Sequence, residues 1–297
     1  MKPILNDRAM FADATEEYRS PEEPSAGDTV KLKFRTAKYN VDRVEVVVNG
    51  IAYSMKKFMT NTNFDYYIAE FTLGAQRTEY YFHALVGRTS IYYNQAGPYR
   101  ELNPTYNFVI NPGFKTPDWA KGAVIYQIYV DRFRNGDKSN DVVDNEYVYI
   151  GEPVHSITDW NEYPATMDVR NFYGGDLQGV LDKMDYLESL GIDAIYFNPL
   201  FVSPSNHKYD IQDYDYIDPH FGVIVNDGGE PLPDNARSND NATKYKKRVT
   251  DYANLEASNE FFAKLVEEAH RRNIKVIIDG VFNHCGSFNK WLDRERI

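Results

Sequence analysis

A cluster of polar residues follows a short apolar segment near the end of the chain. Residues 276–278 are Val-Ile-Ile, and Asp279, Asn283 and His284 come directly afterwards. An apolar run with β-branched residues after a helix-like segment is typical of a buried parallel strand. Polar residues at the carboxyl end of such a strand form the functional face of a β/α barrel. We therefore expect a binding site here, although the His-Asn pair could also cap a following helix.

A second group of residues offers oxygen atoms at close spacing. Asn135, Asp137, Asn140 and Asp141 offer side-chain oxygens within seven residues of one another. Later in the chain, Gly174 offers a backbone carbonyl and Asp176 a carboxylate. Hard cations such as Ca²⁺ take six to eight oxygens from carboxylates, amides and backbone carbonyls. The alternative is that Asn, Asp and Gly are ordinary turn residues and that Asp176 caps a helix.

Both groups lie in a segment, residues 116–297, whose pattern alternates strands with helices. The strands are predicted over residues 123–130, 194–201 and 276–282, and the helices over residues 177–190 and 259–273. Strands separated by helices predict a parallel sheet with right-handed crossovers. We predict the first part, three β/α units, of a TIM (β/α)8 barrel. A whole barrel needs about 250 residues, so the chain is expected to end partway through the barrel.

Residues 1–115 have a different pattern, without helices. Apolar and polar residues alternate in residues 29–36, 41–48, 66–73 and 80–86, and Asn49-Gly50 is a strong signal for a two-residue hairpin. This spacing predicts an all-β, immunoglobulin-like sandwich, with residues 111–117 as the linker. The many tyrosines here could stack on sugar rings, or could simply suit a half-buried pleated surface.

Composition excludes some classes of partner. The formal net charge is −11, and the excess of acid lies in residues 116–297. This argues against nucleic acid and against an anionic membrane, because both select basic surfaces. Cys285 is the only cysteine, so no intrachain disulfide can form. The sequence shows no N-terminal signal sequence and no apolar stretch long enough to span a membrane, so we expect a cytoplasmic protein.

Three stretches resemble one known family in the expected order. They are residues 126–137 (YQIYVDRFRNGD), residues 172–222 (FYGGDLQG, NPLF and SNHKYDIQDYDYIDPHFG) and residues 279–286 (DGVFNHCG). Together they resemble the α-amylase family of glycoside hydrolases, in the branch of neopullulanases, cyclomaltodextrinases and maltogenic amylases. The segment at residues 223–258 departs from the compact pattern of that branch and is interpreted as an insertion, which bears on specificity.

The resemblance implies a role for each matching residue. The implied substrate is an α-glucan, bound by His207, Tyr209, Asp210, Asp279, Asn283 and His284, with Tyr209 stacking on a glucose ring. The implied cofactor is a structural Ca²⁺, held by Asn135, Asp137, Asn140, Asp141, the Gly174 carbonyl and Asp176. The first module is implied to be a starch-binding type, which in some relatives forms a homodimer.

The resemblance also limits what this chain is expected to do alone. Retaining hydrolysis needs a nucleophile and an acid/base carboxylate about 5 Å apart, and the family pattern puts both downstream of Ile297. We therefore assign no catalytic residue and expect the 297-residue chain to be inactive alone. The alternative function is that of a non-catalytic glucan-binding or dimerisation protein built on the same scaffold.

Overall fold

A computed structural model describes residues 5–292, Arg294 and Ile297. The chain divides into two compact units, the first ending at Asp118 and the second beginning at Trp119. Within the described residues, no helix is long and apolar enough to cross a membrane.

The first unit is built from antiparallel strands. They are β1 (Arg19–Ser20), β2 (Thr29–Ala37), β3 (Arg43–Val48), β4 (Ile51–Ser54), β5 (Lys56–Thr60), β6 (Phe64–Thr72), β7 (Thr78–Val86), β8 (Thr89–Asn94), β9 (Gly97–Tyr99) and β10 (Phe108–Ile110). One sheet has the order β1-β2-β6-β5, and the other has the order β4-β3-β7-β8-β9 with β10 beside β7. These strands make up the predicted β-sandwich.

Alternation along the strands places the core of this unit. Val30, Leu32 and Phe34 on β2 are fully buried, and Phe34 stacks on Phe82 of β7 with ring centroids 4.7 Å apart. The Asn49-Gly50 hairpin is confirmed, because Val48 pairs with Ile51 and both turn residues have positive φ. Tyr67, Tyr80 and Tyr93 are buried in the core, as expected of tyrosines that pack on a pleated surface. Tyr99 is exposed, so its stacking on a sugar ring stays a prediction.

In the second unit, β11 (Ile125–Ile128), β16 (Ala194–Phe197) and β19 (Lys275–Ile278) form a parallel sheet in the order β11-β16-β19. The helices between these strands are α1 (Leu177–Asp182), α2 (Met184–Ser189), α3 (Thr243–Thr250) and α4 (Tyr252–Arg271). Short strands in the intervening loops are β12 (Val148–Tyr149), β13 (Glu152–Pro153), β14 (His155–Ser156), β15 (Asn171–Phe172), β17 (Phe201–Val202) and β18 (Asp213–Ile217).

Both predicted helices differ from the observed ones. The helix predicted over residues 177–190 is divided at Lys183, whose N–H bonds to the Val180 carbonyl three residues back. The helix predicted from residue 259 begins seven residues earlier, after Asp251, whose side chain accepts from the Ala253 N–H. The first two turns of α4 were missed because two of their three buried residues, Asn254 and Ser258, are polar, and Leu255 alone does not make an apolar helical pattern.

The predicted strands are shorter than expected. β16 ends at Phe197 because Asn198 and Pro199 follow, and Phe201 instead pairs with Ile217 in an antiparallel ladder. β19 ends at Ile278, before a turn in which Val281 has a φ of 45°. The strand is less buried than its apolar sequence predicted, since its first three residues are part-buried and Ile278 is 40% exposed. β19 has a partner, β16, on one side, and it forms the edge of this sheet within the described residues.

Candidate substrate-binding face

Tyr209 and Asp279 meet at the carboxyl ends of β16 and β19. The Tyr209 hydroxyl donates to Asp279 Oδ2 at 3.2 Å, and the Tyr196 hydroxyl of β16 donates to the same oxygen at 2.9 Å. The other oxygen of Asp279 accepts from the Val281 N–H at 3.1 Å. Burial and the nearby Asp279 charge raise the pKa of Tyr209 above its ordinary value, so its phenol stays a donor. Asp279 therefore fixes the orientation of two tyrosine rings.

His207 is oriented by its own loop. Its Nδ1 accepts from the Tyr209 N–H at 3.1 Å and lies 3.1 Å from Ser205 Oγ. Burial lowers the pKa of His207, although Asp210 opposes that effect. Because Nδ1 is an acceptor, the neutral ring carries its proton on Nε2 and can donate from that atom. The ring is part-exposed, and its centroid is 5.8 Å from that of Tyr209.

Asp210 lies deeper in the same loop. Its Oδ1 accepts from the hydroxyls of Ser203, at 3.0 Å, and Ser205. Gly286, in the loop after β19, lies against the Asp210 backbone, where a Cβ would approach the carbonyl oxygen to 2.2 Å. Glycine is therefore needed for the two loops to pack together.

Among the described residues, the side chains of Asn283 and His284 share no hydrogen bond with those of the other four residues. Both are exposed, and Asn283 Nδ2 is 3.3 Å from His284 Nδ1. Their loop is held by Tyr214, whose hydroxyl donates to the carbonyls of Val281 and His284 at 3.2 and 2.6 Å. The structure thus brings His207, Tyr209, Asp210 and Asp279 together and leaves Asn283 and His284 on the adjacent open loop.

Most of the predicted calcium ligands also converge. Asn135 Nδ2 donates to Asp141 Oδ1 at 2.7 Å, and a Cβ on Gly174 would lie 2.5 Å from each of those atoms. Asn135 Oδ1 and Asn140 Oδ1 are buried and have no hydrogen-bond donor among the described residues. Burial, with repulsion from Asp176, raises the pKa of Asp141 to about 6, against the Asn135 hydrogen bond. Two unpaired amide oxygens beside a destabilised carboxylate suit a hard cation.

Asp176 and Asp137 have partners of their own. Asp176 is fully buried and accepts from the N–H groups of Gly136, Asp137 and Gly179 at 2.6 to 3.0 Å. It therefore caps α1, the alternative considered from the sequence. Asp137 accepts from Ser139. Within the described residues, no three His, Cys, Asp or Glu side chains form a metal cluster, so amide and carbonyl oxygens would have to join the carboxylates in any site here.

Sequence reasoning missed an array of charged side chains beside both groups, all of them buried except that of Asp227, which is 44% exposed. Its members, here called the buried charge network, are Lys208, Asp218, His220, Glu146, Arg248 and Asp227. They are joined in that order by contacts of 2.6 to 2.9 Å. Lys208, Asp218 and His220 lie in the stretch SNHKYDIQDYDYIDPHFG. No local spacing in that stretch indicates that their network includes Glu146 and Arg248.

Comparison with known proteins identifies the family. Residues 127–240 and 236–297 match the alpha amylase catalytic domain, and residues 22–111 match the alpha amylase N-terminal ig-like domain. The first of these models covers more than half of the chain. The chain therefore belongs to the alpha-amylase family of glycoside hydrolases.

Individual relatives agree on the branch. The chain is 37% identical over 281 residues to a cyclomaltodextrinase of Thermoanaerobacter pseudethanolicus, covering 89% of this chain and 40% of that protein. It is 34% identical over 295 residues to neopullulanase 2 of Thermoactinomyces vulgaris, covering 94% and 41%. An intracellular maltogenic amylase of Bacillus subtilis is 32% identical over 289 residues, with coverage of 90% and 41%. The chain spans about two fifths of the length of these relatives.

Solved structures that resemble this chain include a cyclomaltodextrinase and a pullulan hydrolase. A cyclomaltodextrinase structure superposes with a TM-score of 0.52 at 29% identity, covering 96% of this chain and 42% of that one. The type III pullulan hydrolase from Thermococcus kodakarensis gives a TM-score of 0.50 at 27% identity, with coverage of 95% and 43%.

Proposed function

We propose that this chain is the N-terminal part of a retaining α-glucan hydrolase that cleaves α-1,4-glucosidic bonds in starch, maltodextrins, pullulan or cyclodextrins. The observation that carries the proposal is the joining of Tyr209 to Asp279 at the carboxyl ends of neighbouring parallel strands. In this proposal β11, β16 and β19 with their helices are the first three units of a (β/α)8 barrel, whose functional face is at that end.

The chemistry of the loop suits a glucose unit. The Tyr209 ring offers an aromatic face for the apolar face of the sugar, and its π electrons favour the positive charge that develops in the transition state. His207 donates from Nε2 to a sugar hydroxyl, while Asp210 accepts from another. Asn283 and His284, on the exposed loop, complete the subsite from the other side.

Asp279 has a supporting role in this proposal. Its oxygens already accept from Tyr196, Tyr209 and Val281, which is the environment of an orienting carboxylate. The nucleophile and the acid/base are proposed to come from sequence that follows Ile297. The chain alone is therefore expected to bind glucan without hydrolysing it.

Calcium belongs to the same proposal. Asn135, Asn140 and Asp141, with the Gly174 carbonyl, would hold the ion, and Asp137 and Asp176 would complete the oxygen set. The bound ion would supply a structural cross-link for the long loop between β11 and α1. The support is the pair of buried, unpaired amide oxygens beside Asp141.

The rest of the proposal concerns the first unit and the cellular setting. We place starch binding and a homodimer contact on the immunoglobulin-like unit, where large apolar side chains such as Ile51 and Phe58 are exposed. Sedimentation velocity tests the dimer. The intracellular maltogenic amylase among the relatives supports a cytoplasmic location.

The test of the glucan-binding face is calorimetric titration of the 297-residue chain with β-cyclodextrin and with maltotriose. Tyr209→Ala is compared with Tyr163→Ala, since Tyr163 is 92% exposed in the same unit. We expect loss of binding only in the first variant. Equal affinities in the two variants would contradict the proposal, and release of reducing sugar by the chain alone would contradict the assignment of catalysis to later sequence.

A further inference from the structure

Lys208 lies between the two residues that face the substrate, but its side chain points the other way. It is 1% exposed, and its Nζ donates to Asp218 Oδ2 at 2.6 Å and to the Ser203 carbonyl at 2.9 Å. The ammonium group also lies 4.8 Å from the ring centroid of Phe221. A lysine at a solvated loop tip would normally keep its charge in water.

The backbone at this position is also unusual. Lys208 has a φ of 60°, in the left-handed region that side-chain-bearing residues rarely adopt. A residue persists in such a conformation only where the surrounding structure compels it, and such residues cluster at ligand sites. Here the left-handed turn separates His207 from Tyr209, so it decides where both rings point.

The partner of Lys208 is itself rigidly held. Asp218 is fully buried, accepts from the Ser203 N–H at 3.0 Å and contacts His220 Nδ1 at 2.8 Å. His220 Nε2 in turn lies 2.8 Å from Glu146 Oε1. The ammonium group of Lys208 is therefore anchored to the end of the β17–β18 hairpin through a network whose members have fixed partners.

We propose that Lys208 is a positioning residue: its buried ammonium group pulls the loop into the left-handed turn that aims His207 and Tyr209 at the glucan. This inference rests on the proposed function, because it concerns the same subsite. It differs from a purely conformational role, in which any residue tolerant of positive φ would serve, and from a purely structural role, in which loss of the anchor would destabilise the unit without moving the loop.

Substitutions at position 208 separate these roles. Lys208→Gly accepts the left-handed backbone without strain but removes the anchor. Lys208→Arg keeps a buried cation, and Lys208→Met removes the charge but keeps an unbranched apolar stem. Asn273→Gly is the matched control, because Asn273 also has a φ of 60° but lies just before β19, at the amino end of that strand.

Two readouts are needed, both measured on the 297-residue chain at a temperature where each variant is folded by circular dichroism. Hydrogen exchange followed by mass spectrometry reports protection of the peptide covering residues 203–211. Calorimetric titration with β-cyclodextrin reports affinity. We expect Lys208→Gly and Lys208→Met to lose protection in that peptide and to bind about tenfold more weakly, whereas Lys208→Arg stays within about threefold and Asn273→Gly matches wild type.

Wild-type protection and affinity in Lys208→Gly would overturn the proposal, because the backbone conformation alone would then be sufficient. Equal loss in Lys208→Arg would overturn it too, since the cation would not be what matters. If the single variants do not fold, the double variant Lys208→Met/Asp218→Asn removes both charges of the pair, and failure of that variant to fold would assign Lys208 to general stability instead. If wild type does not bind glucan, the proposed function fails while the exchange result still decides the positioning role.

Discussion

Removing the guanidinium of Arg248 tests whether the buried charge network stabilises the second unit. Arg248 is 3% exposed, and its Nη1 donates to Glu146 Oε2 at 2.9 Å and to the Asp141 carbonyl at 2.8 Å. Its other nitrogens form a fork on Asp227. Arg248→Met leaves the fully buried Glu146 with His220 as its remaining cationic neighbour and leaves the Asp141 carbonyl without this donor.

The expected cost is large because one partner of a buried pair is removed. Such changes cost about 3–5 kcal/mol in the free energy of unfolding, and Asp227 adds little because its side chain is 44% exposed. Lys247→Met is the matched control on the same helix, since Lys247 is 43% exposed and pairs with Asp251 four residues on. An exposed pair of this kind is worth about 0–1 kcal/mol.

Urea unfolding followed by tryptophan fluorescence measures the difference. The three tryptophans are Trp119, Trp160 and Trp291, so the signal comes from the second unit alone. Urea is uncharged and does not screen ion pairs, unlike guanidinium chloride. With a slope of about 2 kcal/mol per molar urea, a loss of 3 kcal/mol lowers the midpoint by about 1.5 M. Equal midpoints for the two variants would refute the stabilising role of the network.

Three further outcomes are expected. Burial alone lowers the pKa of His220, but the charges of Glu146 and Asp218 outweigh burial and raise that pKa. Because the folded state then binds the proton more tightly than the unfolded state, the urea midpoint should fall as the pH rises from about 6.5. His220→Gln should flatten this profile. Calcium at a hundredfold excess over its dissociation constant should add about 2.7 kcal/mol to stability. Chelator should reverse this gain, and Asn135→Ala should abolish it, whereas Asn135→Asp should retain it. Tyr209→Phe loses one hydroxyl bond, worth about 0.5–1.5 kcal/mol, so its glucan affinity should fall less than that of Tyr209→Ala in the same titration.

The parts of the fold that follow from local pattern were predictable. Alternation along β2 predicted which residues are buried, and Asn49-Gly50 predicted the β3–β4 turn, because both depend on neighbours within a few residues. The start of α4 was not predictable in the same way. Asn254 donates to the Asn226 carbonyl and accepts from the N–H groups of Val225 and Asn226, so it is buried for a tertiary reason. Hydrophobic periodicity cannot register such a residue.

In the candidate site, too, features set by local sequence were predictable and features set by tertiary contacts were not. Residue type and spacing were enough to predict that Asp279 follows a strand of the parallel sheet, while its role in binding stays a prediction. The link from Arg248 to Glu146 spans 102 positions in sequence, and no spacing rule connects two charges so far apart. The segment at residues 223–258 was expected to be an insertion that alters specificity. That stays a prediction, whereas the structure shows that the segment supplies Arg248 and Asp227 to the network beside the proposed calcium loop, a structural role that composition did not indicate.

The location of the buried charges has a physical reason. The carbonyl groups of Asp141 and Ser203 lie outside any strand, in the segments that follow β11 and β16, so they have no ladder partner, and an unpaired buried carbonyl is costly. Lys208 donates to the carbonyl of Ser203 and Arg248 to that of Asp141. Each cation therefore satisfies loop backbone, and the carboxylates of Asp218 and Glu146 are needed to offset the buried cations. Apolar replacements of the same volume would fill the space but would leave those carbonyls unpaired, so the loops that present both proposed sites depend on charged side chains for their shape.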